Sequence, residues 1–139
     1  MKVGAHRSCR ILLVEDDPDL RDALAEALDG LGFSVTLARD GADALACLRG
    51  ATERPGLILL DFQMPNMNGI QFREEQLSSP DYAAIPVAIM TADAHAKEKM
   101  ASLGLIAFLS KPLSIPALLE VTRNVFGTSN RFRQEQGVP

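Results

Sequence analysis

One pattern constrains the fold more than any other: a short apolar run followed by a stretch of helical periodicity, five times over. Residues 11–15 are apolar until they end in acids, and read as a buried strand. Asp17 then caps a helix, with Pro18 in its first turn. Leu20, Leu24, Leu28 and Leu31 put an apolar stripe on that helix, and Gly32 ends it. Residues 34–38 predict a second strand, and Asp40 caps a second helix bearing Ala44, Leu45 and Leu48. Residues 57–60 are apolar on both faces, as a central parallel strand should be. A loop through Pro65 and Asn68-Gly69 leads into a third helix containing Phe72 and Leu77. Residues 85–90 predict the fourth strand, 93–103 the fourth helix with Gly104 as its stop, and 105–109 the fifth strand. Ser114 caps the last helix, which carries Leu118, Val121 and Val125 on one face, with Gly127 past its end.

Strands alternating with helices of this length require right-handed crossovers and a parallel sheet covered on both sides. The expected fold class is therefore α/β: a flavodoxin-like, doubly wound, five-stranded parallel sheet with five helices. The order 2-1-3-4-5 is expected because it is common in such sheets; the residues do not dictate it. A chain of 139 residues suits one domain. That domain is expected to span 1–127. Residues 128–139 have no period, and are expected to form a disordered tail in which Arg131 and Arg133 are solvated.

The composition excludes some function classes. A net charge of −4 argues against a nucleic-acid-binding face, so no direct nucleic-acid contact is expected. No stretch reaches the ~20 apolar residues of a membrane span. Lys2 and Arg7 precede an apolar run too short for the ~7–15 residues of a secretion signal. A cytoplasmic location is the resulting expectation. Cys9 and Cys47 show no metal-ligand spacing, and read as small, partly buried thiols.

The chemistry is concentrated at one rim. In a parallel sheet every strand C-terminus lies on the same side, and ligands bind where the strand order reverses. Strand 1 ends at Glu15-Asp16, strand 3 at Asp61, strand 4 at Thr91 and strand 5 near Lys111. Three carboxylates so placed call for a cation. Hard oxygen ligands with an incomplete shell suit Mg²⁺, which keeps waters and shares phosphate oxygens. A lysine and a hydroxyl beside such a metal are the components of phosphoryl transfer, and a carboxylate can be the covalent acceptor.

The motifs that carry this chemistry are ILLVEDD at 11–17, LLDFQMPNMNG at 59–69, MTA at 90–92 and FLSKP at 108–112. In this order and at these separations, the chain resembles the receiver domain of two-component response regulators from about Cys9 to Phe126. The resemblance implies a role for each matching residue. Asp61 would take a phosphoryl group from a phosphohistidine of a sensor histidine kinase or phosphotransfer protein. Asp16 would ligate Mg²⁺ directly, Glu15 through water, Asp61 directly, and Gln63 through its backbone carbonyl. Thr91 and Lys111 would each bind a phosphoryl oxygen. Phe108 matches the aromatic switch that turns inward as Thr91 moves, altering the face made by the fourth helix, fifth strand and fifth helix. The bond before Pro112 would be cis. The downstream partner would be a further, unidentified protein, and the chain would be a phosphoacceptor rather than a turnover enzyme. Two positions depart from the common pattern. Asn68 stands for an aspartate, and Leu105-Ile106 stands where one transcription-factor subgroup carries acids at a symmetric dimer face.

Rival functions fit less well. A flavin-binding module of this fold needs a Ser/Thr/Gly-rich phosphate loop after strand 1, where this chain has EDDPD. An aspartate-nucleophile phosphatase needs a second acid two residues past Asp61, where Gln63 stands. A phosphorylation-independent scaffold, or a fragment of a larger regulator or hybrid kinase, is the remaining alternative. The intact acids, Thr91 and Lys111 oppose the scaffold.

Overall fold

The computed structural model describes residues 9–127. Their elements alternate as β1 (Arg10–Val14), α1 (Pro18–Gly30), β2 (Ser34–Ala38), α2 (Gly41–Gly50), β3 (Leu57–Asp61), α3 (Gly69–Leu77), β4 (Val87–Thr91), α4 (Ala96–Lys99), β5 (Ala107–Ser110) and α5 (Ile115–Phe126). The five strands form one sheet in the order β2-β1-β3-β4-β5, and all four pairings are parallel. Fold class and strand order are those expected.

Strand periodicity sorts the side chains onto two faces. Ile11, Leu13, Leu57, Leu59, Ala88 and Met90 pack with Leu24 and Leu28 of α1 and Leu118 and Val121 of α5. Leu12, Val14, Ile58, Leu60, Val87 and Ile89 pack with Ala44, Leu45 and Leu48 of α2, Phe72 of α3 and Ala96 of α4. Every residue of β3 and β4 is buried. Each buried Leu or Ile contributes about 1.5–3 kcal/mol of transfer free energy. The central strands are therefore the rigid base from which the rim residues project.

The helix starts are set by local side chains. Asp17 accepts from the Asp19 and Leu20 amides at 3.0 and 3.5 Å. Asp40 accepts from the Asp43 amide at 2.8 Å, and Ser114 from the Ala117 amide at 3.2 Å. Asn68 and Gln71 make reciprocal bonds of 2.9 Å, a capping box that starts α3.

Three elements have a boundary two or more residues from expectation, the other strands differing by a residue at most. The fourth helix is expected over 93–103, but α4 covers only Ala96–Lys99, followed by a 3-10 turn at Ala101–Leu103. The Thr91 hydroxyl accepts from the Asp93 amide at 2.8 Å, and the Asp93 carboxylate accepts from the His95 amide at 2.8 Å. These local bonds hold residues 92–95 out of the helix. β4 begins at Val87, two residues late, because Pro86 has no amide to donate to a ladder. β5 begins at Ala107 rather than at residue 105. The Lys111–Pro112 bond is cis, as expected. Residues 128–139, including Arg131 and Arg133, lie outside the described residues.

Candidate phosphoryl and metal site

β1 and β3 are neighbours, yet the helices that follow them lie on opposite faces of the sheet. That reversal opens a crevice at the C-terminal rim. A cleft of about 200 Å³ lies there, lined by Glu15, Asp16, Asp17, Asp61, Gln63, Thr91, Ala92 and Lys111. All six residues expected at the metal and phosphoryl site are among them. Asp17, read as a helix cap, both caps α1 and lines the cleft.

Glu15 and Asp61 are almost wholly buried, whereas Asp16 is exposed. The Lys111 ammonium lies 3.1 Å from Glu15 Oε1 and 3.1 Å from Asp61 Oδ1, bridging the two acids. The second Glu15 oxygen accepts from the Asp17 amide at 3.1 Å. Burial pushes the Asp61 carboxyl up to about 7; the Glu15 charge adds to this, and Lys111 works against it. Burial acts to lower the Lys111 ammonium, but Asp61 and Glu15 outweigh it and hold the group above its ordinary value. The site thus contains more negative charge than its one lysine neutralises.

One oxygen from each of Glu15, Asp16 and Asp61 lies within 4.8 Å of the other two. Octahedral Mg²⁺–oxygen bonds of about 2.1 Å place ligand oxygens about 3–4 Å apart, a spacing of the same order. The donor set, all hard oxygens at an open cleft, fits such an ion. These three acids could hold a metal ion.

Thr91 ends β4 with its hydroxyl engaged by the Asp93 amide, so it caps the following turn as well as lining the cleft. Phe108 is half-buried in β5, opposite Ile89 in register.

Several supporting residues have no strong sequence signal. The Arg21 guanidinium donates to the Glu15 carbonyl at 3.1 Å and holds the end of β1. The Lys99 ammonium pairs with Asp93 at 2.8 Å and lies 5.7 Å above the Phe62 ring, tying the two loops beside the cleft together. Gly69 is the exception, since Asn-Gly after a strand is a legible turn signal. Its amide donates to the Phe62 carbonyl at 2.8 Å, and a Cβ there would meet the Phe62 Cα at 3.2 Å and the Asp61 carbonyl oxygen at 3.3 Å.

Comparison with known proteins gives the same picture. The family model for the response regulator receiver domain matches residues 11–123. The response regulator MprA of Mycobacterium bovis is 36% identical over 114 residues, 81% of this chain and 48% of that protein. MprA of Mycolicibacterium vanbaalenii is 36% identical over 112 residues, 79% of this chain and 47% of that protein. The chain thus spans about half the length of the curated relatives it matches. The unmatched half of those regulators leaves the expectation of no nucleic-acid contact without support for a whole protein. Among solved structures, the chemotaxis protein CheY4 of Vibrio cholerae superposes with a TM-score of 0.77 at 28% identity, covering 85% of this chain and 98% of that one. The receiver domain of the sensor histidine kinase PA1611 of Pseudomonas aeruginosa, which has a magnesium ion coordinated in its active-site cleft, superposes with a TM-score of 0.74 at 27% identity, covering 89% and 100%. With its strand order, its rim cleft and a family match over most of its length, the chain belongs to the response regulator receiver domains of two-component systems.

Proposed function

We propose that this receiver is a phosphorylation-dependent switch in which Asp61 accepts a phosphoryl group, with Mg²⁺, from a phosphohistidine on a histidine kinase or phosphotransfer protein. The observation that carries this reading is the bridging lysine: one ammonium lies 3.1 Å from both a buried acid at the end of β1 and the buried acid at the end of β3. A pocket with surplus negative charge at a rim crevice suits a cation and a phosphoryl group together. The PA1611 receiver, similar in fold, has magnesium in its active-site cleft, which supports the choice of ion.

In this reading an Asp61 carboxylate oxygen attacks phosphorus. The new O–P bond forms as the N–P bond of the phosphohistidine breaks, and the imidazole nitrogen keeps the electron pair. Asp16 and Asp61 would ligate the ion directly, Glu15 through water, and Gln63 through its backbone carbonyl. When bound, the ion supplies neutralising charge to the phosphoryl oxygens and the acids. Lys111 leaves its bridge to meet one phosphoryl oxygen, and Thr91 exchanges its bond from the Asp93 amide for another. That movement frees space for Phe108 to turn inward and alters the α4–β5–α5 face, where Ile106 and Ile115 are exposed. Such a protein is phosphorylated and slowly dephosphorylated, and turns over no substrate. The receiver unit is proposed to span 1–127 and to act in the cytoplasm. No helix of the described residues is long and apolar enough to cross a membrane.

The test is labelling with acetyl phosphate and Mg²⁺, read by intact mass. The wild type should gain one acid-labile phosphoryl group and Asp61→Asn none. Equal labelling of the variant would sink the assignment.

A further inference from the structure

The sheet-facing side of α3 carries two polar side chains where helix-on-sheet packing calls for apolar ones. Arg73 is 5% exposed and Gln76 is fully buried. Arg73 Nε donates to the Leu103 carbonyl at 2.9 Å, and Nη2 to the Gly104 carbonyl at 3.2 Å. Arg73 Nη1 donates to Gln76 Oε1 at 2.7 Å. Gln76 Nε2 in turn donates to the Tyr82 and Ile85 carbonyls at 2.9 and 3.0 Å. The ion pairs among the described residues do not include Arg73, so its buried charge is met by neutral dipoles. A buried cation is costly, and an apolar pair of similar volume would pack this face at lower cost.

The location of this network gives it a use. The two backbone acceptors of Arg73 belong to the turn that closes the 3-10 segment and enters β5, while Gln76 holds the segment between α3 and β4. In the turn before β5, Gly104 is left-handed (φ 68°), at the C-terminal cap of the 3-10 segment. Two residues on, the Ile106 amide joins the sheet through the Val87 carbonyl at 3.0 Å. At its other end α3 starts at Gly69, pressed against Asp61 and Phe62. One helical turn separates Gly69 from Arg73. α4 offers no comparable connection, being four residues long.

We infer that Arg73 and Gln76 are positioning residues that make α3 a strut between the phosphoacceptor loop and the α4–β5 turn. This route to the output face is separate from Thr91 and Phe108. It rests on the reading of Asp61 as phosphoacceptor for its signal, but not for its mechanics. Displacement at Phe62–Gly69 moves α3, and Arg73 carries that displacement to Leu103 and Gly104.

The test uses the full chain and the double variant Arg73→Leu/Gln76→Leu. It removes both polar side chains together and refills the space with apolar volume, so neither side chain is left buried without the other, while the four carbonyls they served lose these donors. Arg73→Leu alone serves as the disruptive comparison. Amide exchange in the resting protein tests the strut without any phosphoryl analogue. The double variant should exchange roughly tenfold faster at Gly104–Ala107, and also at Phe62 and Gly69, with β1 unchanged. Unchanged exchange at Phe62 and Gly69 overturns the strut, leaving Arg73 a local clamp. The second arm adds Mg²⁺ and beryllofluoride, with NMR of the same variants. Asp61 should still bind the analogue, while shift changes at Ile106–Phe108 fall to less than about half of wild type. Changes of full size there also overturn the inference. If the wild type itself fails to bind beryllofluoride at Asp61, the phosphoacceptor reading falls, and the exchange arm still decides the strut.

Discussion

Replacing Asp61 by Asn should stabilise the metal-free protein, and the gain should depend on pH in a defined direction. The Asp61 carboxyl moves from an ordinary value of 3.8 to about 7 in the fold, through burial first and Glu15 second. An acid whose value is raised on folding holds its proton where the unfolded chain has released it. Below about pH 4 both states are protonated and the group costs nothing. The cost grows as pH rises from about 4 and is complete above about 7. Full linkage across that interval amounts to about 4 kcal/mol. The carboxylate opens on a solvated cleft, however, and screening reduces this to about 1–2 kcal/mol. Coulomb repulsion gives the same scale: two charges within 4.8 Å repel by about 1–3 kcal/mol at intermediate dielectric. The Lys111 contact at 3.1 Å works against the rise and is already contained in that value. The net expectation in chelator at pH 8 is about 1 kcal/mol, or about 3–5 °C in Tm for a chain of this size. Asp16→Asn should gain less than about 0.5 kcal/mol, because that side chain is exposed. At pH 4 the Asp61→Asn gain should vanish. Mg²⁺ at about ten times its Kd should add about 1.4 kcal/mol to the wild type and less to either variant. The assay is a thermal melt of the three proteins at pH 4 and 8, in chelator and in Mg²⁺. A lower Tm for Asp61→Asn in chelator at pH 8, or a gain that persists at pH 4, would refute the electrostatic reasoning.

Thr91→Ala should still label on Asp61 but lose the beryllofluoride response at Phe108, read by NMR; a full response would show that the hydroxyl does not couple to the ring. Gln63 and Asp93, two residues past Asp61 and Thr91, should flank the path of the hydrolytic water, so changing either should alter the decay of the labelled protein by several-fold without preventing labelling. The Lys99 contact at 2.8 Å holds the Asp93 carboxylate to one side, so Lys99→Met should change the same decay rate. Leu59→Ala, at a fully buried site in β3, should cost about 2–5 kcal/mol in urea unfolding.

Much of the fold was legible because it is decided locally. Asp17, Asp40 and Ser114 were readable as caps because each satisfies an amide within three residues of itself. The strands of the sheet interior stood out because burial on both faces requires an unbroken apolar run. The fourth helix was overextended because periodicity does not register that Thr91 and Asp93 side chains compete for the first amides. The Asn68–Gln71 capping box was present in the sequence, four letters that a turn reading of Asn-Gly concealed.

The candidate site divides along the same line. By itself the sequence determined the residue types: acids, a hydroxyl and a lysine, each at the end of an apolar run, where a strand must meet solvent. The family motifs assigned them roles. Only the tertiary structure brought Lys111 across 96 residues to Glu15 and across 50 to Asp61. Only it decided that Glu15 is buried while its neighbour Asp16 is exposed, which sets where the charge is costly. Arg73 is the plainest case. In the sequence it is one more charged residue on a helix. Two of its three acceptors are main-chain carbonyls 30 and 31 residues away, and a main-chain carbonyl carries no sequence signal at all. Short-range hydrogen bonds and burial periodicity are written in neighbouring letters; long-range electrostatics depend on distances that exist only once the sheet has closed.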